Sequence, residues 1–188
     1  NELRVPLSKI FAVAASGLAE GPRDNWNADV GQSLMSFFAD RLKVHLKERG
    51  VRHDLISAVL ALTAEDDLVR LLARVDALAG FLGSDDGGDL LVAYRRAANI
   101  LRIEEKKDGV SHDGAVDAAL LQQDEETALT SALGEAVEKI DGALAEENFV
   151  RAMAVMAGLR QPVDDFFDGV TVNAEDGALR GNRLRLLS

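Results

Sequence analysis

The stretch that decides the fold lies near the end of the sequence and reads Pro162-Val163-Asp164-Asp165-Phe166-Phe167-Asp168-Gly169-Val170, then Ala178-Leu179-Arg180-Gly181-Asn182-Arg183-Leu184. Apolar side chains recur in it every three or four residues, which is the period of an α-helix with one buried face. Pro162 suits the first turn of such a helix. A second helix should start after Glu175-Asp176 and carry two arginines and an asparagine at regular spacing. The stretch therefore predicts two helices on a shared core, the last of them basic.

The same period extends over most of the chain. Further helical stripes run over residues 7–18, 30–46, 55–60, 68–82, 90–101, 129–144 and 149–159. Residues 83–88 read as a flexible, Gly-rich connection, and residues 106–118 read as a loop. Strict alternation of apolar and polar residues nowhere exceeds about four residues, which argues against strands. The sequence thus predicts an all-α fold, a helical bundle of about seven or eight helices.

Charge is distributed unevenly along the chain. The 188 residues carry a formal net charge of −11, yet residues 41–53 hold five bases and one acid. Residues 113–147 hold ten acids and one base, and residues 177–188 hold three arginines and no acid. A local basic patch can therefore exist, although the summed field opposes long-range attraction of a polyanion.

Composition excludes several classes of protein. There is no cysteine, so disulfides and thiolate metal sites are absent, and a reducing, cytoplasmic compartment is the simplest expectation. No apolar run approaches the roughly 20 residues needed to cross a bilayer, so we expect no membrane partner. Because the sequence opens with Asn1 and without a clear start, we expect a piece of a longer protein.

Catalytic residues are scarce. The three histidines, His45, His53 and His112, are too scattered for a catalytic triad, and His53-Asp54 lacks the further ligands of a metal-dependent hydrolase. Helix capping is the favoured reading of that pair. Residues 83–88 lack the Lys and Ser or Thr of a phosphate-binding loop. We therefore expect no catalytic residues, no metal site and no cofactor in this chain.

Basic residues on one predicted helix point toward nucleic acid instead. Arg95, Asn99 and Arg102 share a helical face, with Tyr94 and Arg96 next to them in the sequence. Tyrosine, arginine and asparagine together can stack on an unpaired base, read its edge and hold phosphate. The alternative is a solvated helix face with Tyr94 half buried.

The other basic positions leave similar alternatives open. Arg180, Asn182 and Arg183 lie on the last predicted helix, where basic residues also complement the helix dipole. Arg41 can bind RNA or form a structural salt bridge, either with Asp40 or with the acidic segment at residues 113–147.

Six ordered blocks of sequence resemble one family. They comprise residues 37–42, 53–60, 74–81, 94–101, 162–170 and 178–184. In this order they resemble the C-terminal region of the β subunit of bacterial two-subunit glycyl-tRNA synthetase. That region is similar to the helical anticodon-binding domain of arginyl-tRNA synthetases, named for an Asp-Ala-Leu-Arg signature. Here the signature reads Asp176-Gly177-Ala178-Leu179-Arg180, with one inserted residue. The resemblance covers residues 30–188, and residues 1–29 look like the end of a preceding region.

The resemblance implies a non-catalytic, cytoplasmic module that binds the anticodon stem-loop of glycine tRNA. ATP, Mg²⁺ and the active site would belong to the α subunit, which the full β subunit contacts; no DNA partner is implied. We expect bases to stack on Tyr94, Arg95 or Arg96. The expected readers of base edges are Asn99, Arg180 and Asn182, and the expected phosphate contacts are Arg41, Lys43, Arg102 and Arg183. The acidic segment, residues 113–147, should face away from the tRNA. The rival interpretation is a protein-interaction domain that docks another subunit or the rest of its own chain.

Overall fold

The computed structural model describes residues 4–17, 28–62 and 66–188, and these contain helices and no β-strand. The helices are α1 (Leu7–Gly17), α2 (Ala28–Glu48), α3 (His53–Leu62), α4 (Leu68–Leu82), α5 (Asp85–Asp108), α6 (Asp124–Ala145), α7 (Phe149–Ala157), α8 (Arg160–Gly169) and α9 (Gly177–Leu186). A single 3₁₀ turn, Ala118–Leu120, lies between α5 and α6. The predicted all-α class is confirmed.

The chain divides into two compact units, residues 1–79 and residues 80–188. The first unit contains α1 to α3 and most of α4, and the second contains α5 to α9. The predicted division at residues 29 and 30 falls at the beginning of α2, next to residues 18–27, which lie outside the described residues. That division stays a prediction.

The core of the first unit is aliphatic. Val59, Leu71 and Val75 are buried together, and Leu42 packs against them. Helix α2 ends at Glu48, and Gly50 lies in the turn after it, with a φ of 83° that only glycine adopts without strain. The N–H of Val51 then donates to the carbonyl of Leu46 at 3.0 Å, so this carbonyl of the last turn has a hydrogen-bond partner.

The core of the second unit surrounds the stretch that predicted the fold. Phe166 of α8 is fully buried with Leu129 of α6 and Leu184 of α9, and Val170 joins them. Helix α6 packs against α7 and α8, and α5 also packs against α8. Asp176 caps α9, since its carboxylate accepts from the N–H groups of Ala178 and Leu179 at 2.8 and 3.1 Å.

The beginning of α5 differs from the expectation. Residues 83–88 are not a flexible connection, because α5 starts at Asp85 and Ser84 is its N-cap. The Ser84 hydroxyl oxygen accepts from the N–H of Gly87 at 3.1 Å and donates to the carbonyl of Phe81 at 2.6 Å. Gly87 is required there, since a Cβ would lie 1.9 Å from the Phe81 carbonyl oxygen. The helix continues to Asp108, so the predicted loop at residues 106–118 begins later than expected.

Candidate nucleic-acid interface

The exposed face of α5 brings several predicted site residues together. Arg95, Asn99 and Arg102 are exposed along one stripe of the helix, and Tyr94, which is 66% exposed, lies about 100° around the helix from Arg95. Nη2 of Arg102 donates to Oδ1 of Asn99 at 2.8 Å, which places the two side chains side by side. This face combines an aromatic ring, an amide and two guanidinium groups, the groups that bind unpaired bases and phosphate.

The cations on this face are not neutralised locally. Within the described ranges, no acidic side chain forms an ion pair with Arg95, Arg102 or Lys106. Lys106 lies eleven residues after Arg95, so it extends the same helical stripe. Sequence reasoning missed Lys106, although the spacing that joined Arg95, Asn99 and Arg102 could have found it. We call the five exposed residues the α5 face: Tyr94, Arg95, Asn99, Arg102 and Lys106.

Arg96 lies on the other flank of the helix from Tyr94. Two residues along an α-helix correspond to a rotation of about 200°, so the two side chains diverge. The Arg96 guanidinium carbon lies 4.3 Å from the centroid of the Phe167 ring, over its face. Arg96 thus contacts α8, although it remains exposed. The structure does not bring Arg96 to Tyr94 as a second stacking surface.

Arg180 is used within the second unit. Its Nη2 lies 2.5 Å from Glu104 and its Nη1 lies 2.7 Å from Asp108. Its Nε donates to Oδ1 of Asn173 at 3.2 Å. Hydrogen bonds from Arg180 hold the pKa of both carboxyl groups below the ordinary value. Arg180 therefore binds α9 to the last turns of α5 and supports the helix that carries the exposed face.

Asn182 is buried, with 1% exposure. Its amide exchanges two hydrogen bonds with the backbone of Asp117, at 2.7 Å to Oδ1 and 3.0 Å from Nδ2. In this arrangement Asn182 fixes the loop before α6 and presents no free edge to a base.

Arg183 is also buried, with 7% exposure. Its Nε donates to Glu126 at 2.7 Å, and Nη1 donates to the carbonyl of Thr171 at 2.8 Å. Glu126 is 1% exposed and also accepts from the backbone N–H groups of Gln122 and Gln123. Burial raises the pKa of Glu126, but these hydrogen bonds outweigh it and hold the pKa below the ordinary value. The predicted phosphate contact is thus an internal ion pair.

Arg41 and Lys43 belong to the first unit. The guanidinium carbon of Arg41 lies 5.4 Å from the centroid of the Phe37 ring, a cation–π contact. Nζ of Lys43 lies 3.1 Å from Asp40. Asp40 therefore pairs with Lys43, and not with Arg41 as one of the alternatives predicted.

The sites considered for catalysis have structural partners. Helix α3 begins at His53, and Asp54 pairs with Arg52, with Nη2 and Oδ2 2.6 Å apart. Residues 4–17, 28–62 and 66–188 contain no group of three or more His, Asp or Glu placed to hold a metal ion. No helix within those residues is long and apolar enough to cross a membrane.

Comparison with known proteins identifies a family for the second unit. Residues 90–188 match the DALR anticodon binding domain family. The glycine–tRNA ligase β subunit of Rhodospirillum centenum is 58% identical over the whole chain, which covers 26% of that protein. The β subunit of Cereibacter sphaeroides strain ATCC 17029 is 49% identical over 83% of the chain and 22% of its own length. That of Ruegeria sp. strain TM1040 is 44% identical over the whole chain and 26% of its own length. The chain spans about a quarter of the length of these curated relatives.

Proposed function

Since the chain belongs to the DALR anticodon binding domain family, we propose that it binds the anticodon stem-loop of a tRNA through the α5 face. The domain contributes binding and orientation, and the chemistry is done elsewhere. The observation that carries this proposal is the exposed tyrosine next to cations without ion-pair partners in the described part of the chain.

The physical argument follows from what single-stranded RNA offers. Unpaired loop bases expose their π-faces, and stacking on an aromatic side chain is worth about 1–3 kcal/mol per base. Tyr94 is exposed enough to receive one. Arg95, Arg102 and Lys106 follow along the same helix and suit the adjacent phosphates, while Asn99 can read a base edge.

Glycine tRNA is the proposed substrate. Relatives that are 44–58% identical to the whole chain are named glycine–tRNA ligase β subunits. The full protein would then act with an α subunit, which would supply the aminoacylation site with its ATP and Mg²⁺. The chain's own role is to hold the anticodon end so that the acceptor end reaches that site. A cytoplasmic location follows from this role in protein synthesis.

The hydrogen bonds of the α9 residues reduce the number of residues that we propose to contact RNA. Arg180 and Arg183 bind acids inside the second unit, and Asn182 is bound to backbone, so we assign all three a structural role within the second unit rather than contact with RNA. Of the three, Arg180 binds the acids of α5. Arg41 and Lys43 stay proposed phosphate contacts of the first unit. The acidic segment, residues 113–147, stays predicted to face away from the tRNA.

A protein-docking function is the second candidate. Exposed apolar side chains on α1 and α2 favour it, among them Val13, Phe37 and Phe38. Contiguous exposed apolar patches are typical of surfaces that another protein covers, and the rings of Phe37 and Phe38 contact each other. This reading applies to the first unit and is compatible with RNA binding by the second.

The proposal is tested by measuring binding to glycine tRNA and to the same tRNA with a replaced anticodon, across a salt series. We expect tighter binding to the native anticodon and weaker binding as salt rises. Arg95→Ala, Arg102→Ala and Lys106→Ala should each lower the salt slope by about one, because each removes one phosphate contact. Lys139→Ala and Arg151→Ala remove exposed cations that pair with Glu135 and Glu146, and they serve as controls of equal charge. Absence of binding at low salt would refute the proposal.

A further inference from the structure

A stripe of four apolar side chains on α6 lies partly on the surface of the second unit. Leu133 packs against the core and Ile140 is half-buried, whereas Val137 is 60% exposed and Leu144 is 45% exposed. The four residues follow one another at intervals of four, three and four, so they share one face of the helix. We call them the α6 stripe. None of them is among the proposed RNA contacts.

Acidic side chains border the exposed members of the α6 stripe. Asp141 lies four residues after Val137 and three before Leu144, so it is next to both on the helix surface. Glu138 lies three residues before Asp141 and continues the acidic border. Both carboxylates are exposed, and no base forms an ion pair with either of them in the part of the chain that the structure describes. The stripe therefore combines exposed apolar area with unneutralised negative charge.

The charge around the stripe decides what can cover it. Helix α6 itself carries one base, Lys139, and its Nζ lies 2.7 Å from Oε2 of Glu135. Glu138 and Asp141 would repel the phosphate groups of RNA or of an anionic lipid. A second copy of the chain, packed by the same face, would bring like charges together. A helix with an apolar face bordered by lysine or arginine complements both the apolar side chains and the acids.

We propose that the α6 stripe is the docking site for an amphipathic helix of another protein, with lysine or arginine at the border of its apolar face. The apolar face of that helix covers Val137 and Leu144, and its basic side chains pair with Glu138 and Asp141. Apolar anchors three and four residues apart are typical of surfaces that bind a helix. The inference is independent of RNA binding by the α5 face, and it assigns a partner to part of the acidic segment, residues 113–147.

The test uses three synthetic peptides of about 21 residues, a length that can form a helix. The first carries leucine at heptad positions a and d and lysine at the flanking positions. The second has glutamate in place of each lysine, and the third has the composition of the first with its leucines distributed around the helix. Binding to the full 188-residue chain is measured by isothermal titration calorimetry. We expect the first peptide to bind about tenfold or more tightly than either of the others, because it alone matches both the stripe and its border.

Two pairs of variants locate the binding site. Val137→Ser should weaken binding of the first peptide by about tenfold, because it removes one apolar side chain from the contact. Val92→Ser is the matched control, since Val92 is 64% exposed on α5, and it should bind like the unaltered chain. Asp141→Asn should weaken binding about two- to threefold and reduce its salt dependence. Asp76→Asn removes the same charge at an exposed position of α4 and should change neither.

Several results would overturn the inference. Equal binding of the first and third peptides would show charge attraction without use of the apolar face, and unchanged binding by Val137→Ser would place the peptide elsewhere. Sedimentation of the chain without peptide tests a second copy as the occupant. A dimer that Val137→Ser dissociates would assign the stripe to self-association instead. Failure of the first peptide to bind would remove the docking site and leave the proposed tRNA binding untouched.

Discussion

The buried Arg183–Glu126 pair gives the most demanding stability prediction. The two side chains meet at 2.7 Å, and their exposures are 7% and 1%. Arg183→Met keeps much of the side-chain volume but leaves the Glu126 carboxylate without a counter-charge and the Thr171 carbonyl without its donor. Removing one member of a buried ion pair costs about 3–5 kcal/mol. Domains of this size are stable by about 5–15 kcal/mol, so this loss would remove a fifth or more of the free energy of unfolding.

The assay combines urea denaturation, followed by circular dichroism, with hydrogen exchange of amides in α6 and α9. Hydrogen exchange confines the measurement to the second unit, because it reports the stability of each helix separately. We expect the free energy of opening measured by hydrogen exchange to fall in both helices, and by the same amount as the free energy of unfolding measured with urea.

The double change Arg183→Met with Glu126→Met is the matched control. It removes both charges together, and apolar replacements of a buried pair are often neutral. The residual cost should be about 1 kcal/mol, for the N–H groups of Gln122 and Gln123 that lose their acceptor. Arg185→Met, at an exposed position of the same helix, should change stability by no more than about 0.5 kcal/mol. A single variant as stable as the unaltered chain, or a double variant less stable than the single, would refute the reasoning.

Three further predictions concern acid and the helix ends. The folded-state pKa of Glu126 is lowered, so its ionised form stabilises the fold above the ordinary carboxyl pKa of 4.5, and this stability is lost as pH falls below that value. In a series of urea midpoints measured at different pH, Arg183→Met should therefore lose less stability on acidification than the unaltered chain. Gly87→Ala should destabilise α5, since the new methyl group meets the Phe81 carbonyl at 1.9 Å, and a lower thermal midpoint would show it. Asp176→Ala should cost about 1 kcal/mol through loss of the α9 cap, and an unchanged urea midpoint would contradict this.

The sequence could predict the helices because each depends on local signals. The apolar period predicts where each helix lies. A glycine marks the end of α2, and capping acids mark the beginnings of α6 and α9, each within a few residues of the helix end. The beginning of α5 was missed because Gly87 and Gly88 lower helix propensity. The glycine at 87 is explained by the approach of the Phe81 carbonyl, which a sequence does not display.

The candidate site was predictable in part. The spacing of Arg95, Asn99 and Arg102 on one face is a local property, and the structure has them together. Arg183 carries the same charge but is buried against Glu126, 57 residues earlier in the chain. Nothing in the local sequence distinguishes a buried arginine from an exposed one, because tertiary packing determines which acid lies next to it.

The measurement that tests the central claim most directly is the affinity of Tyr94→Ala for glycine tRNA at fixed salt. Val150→Ala is the control, since Val150 is an exposed side chain (70%) on a different helix, α7. We predict that Tyr94→Ala weakens binding by about 1–3 kcal/mol, roughly 5- to 150-fold, while Val150→Ala binds like the unaltered chain. A folded Tyr94→Ala variant with the affinity of the control would contradict the assignment of the α5 face as the RNA-binding surface.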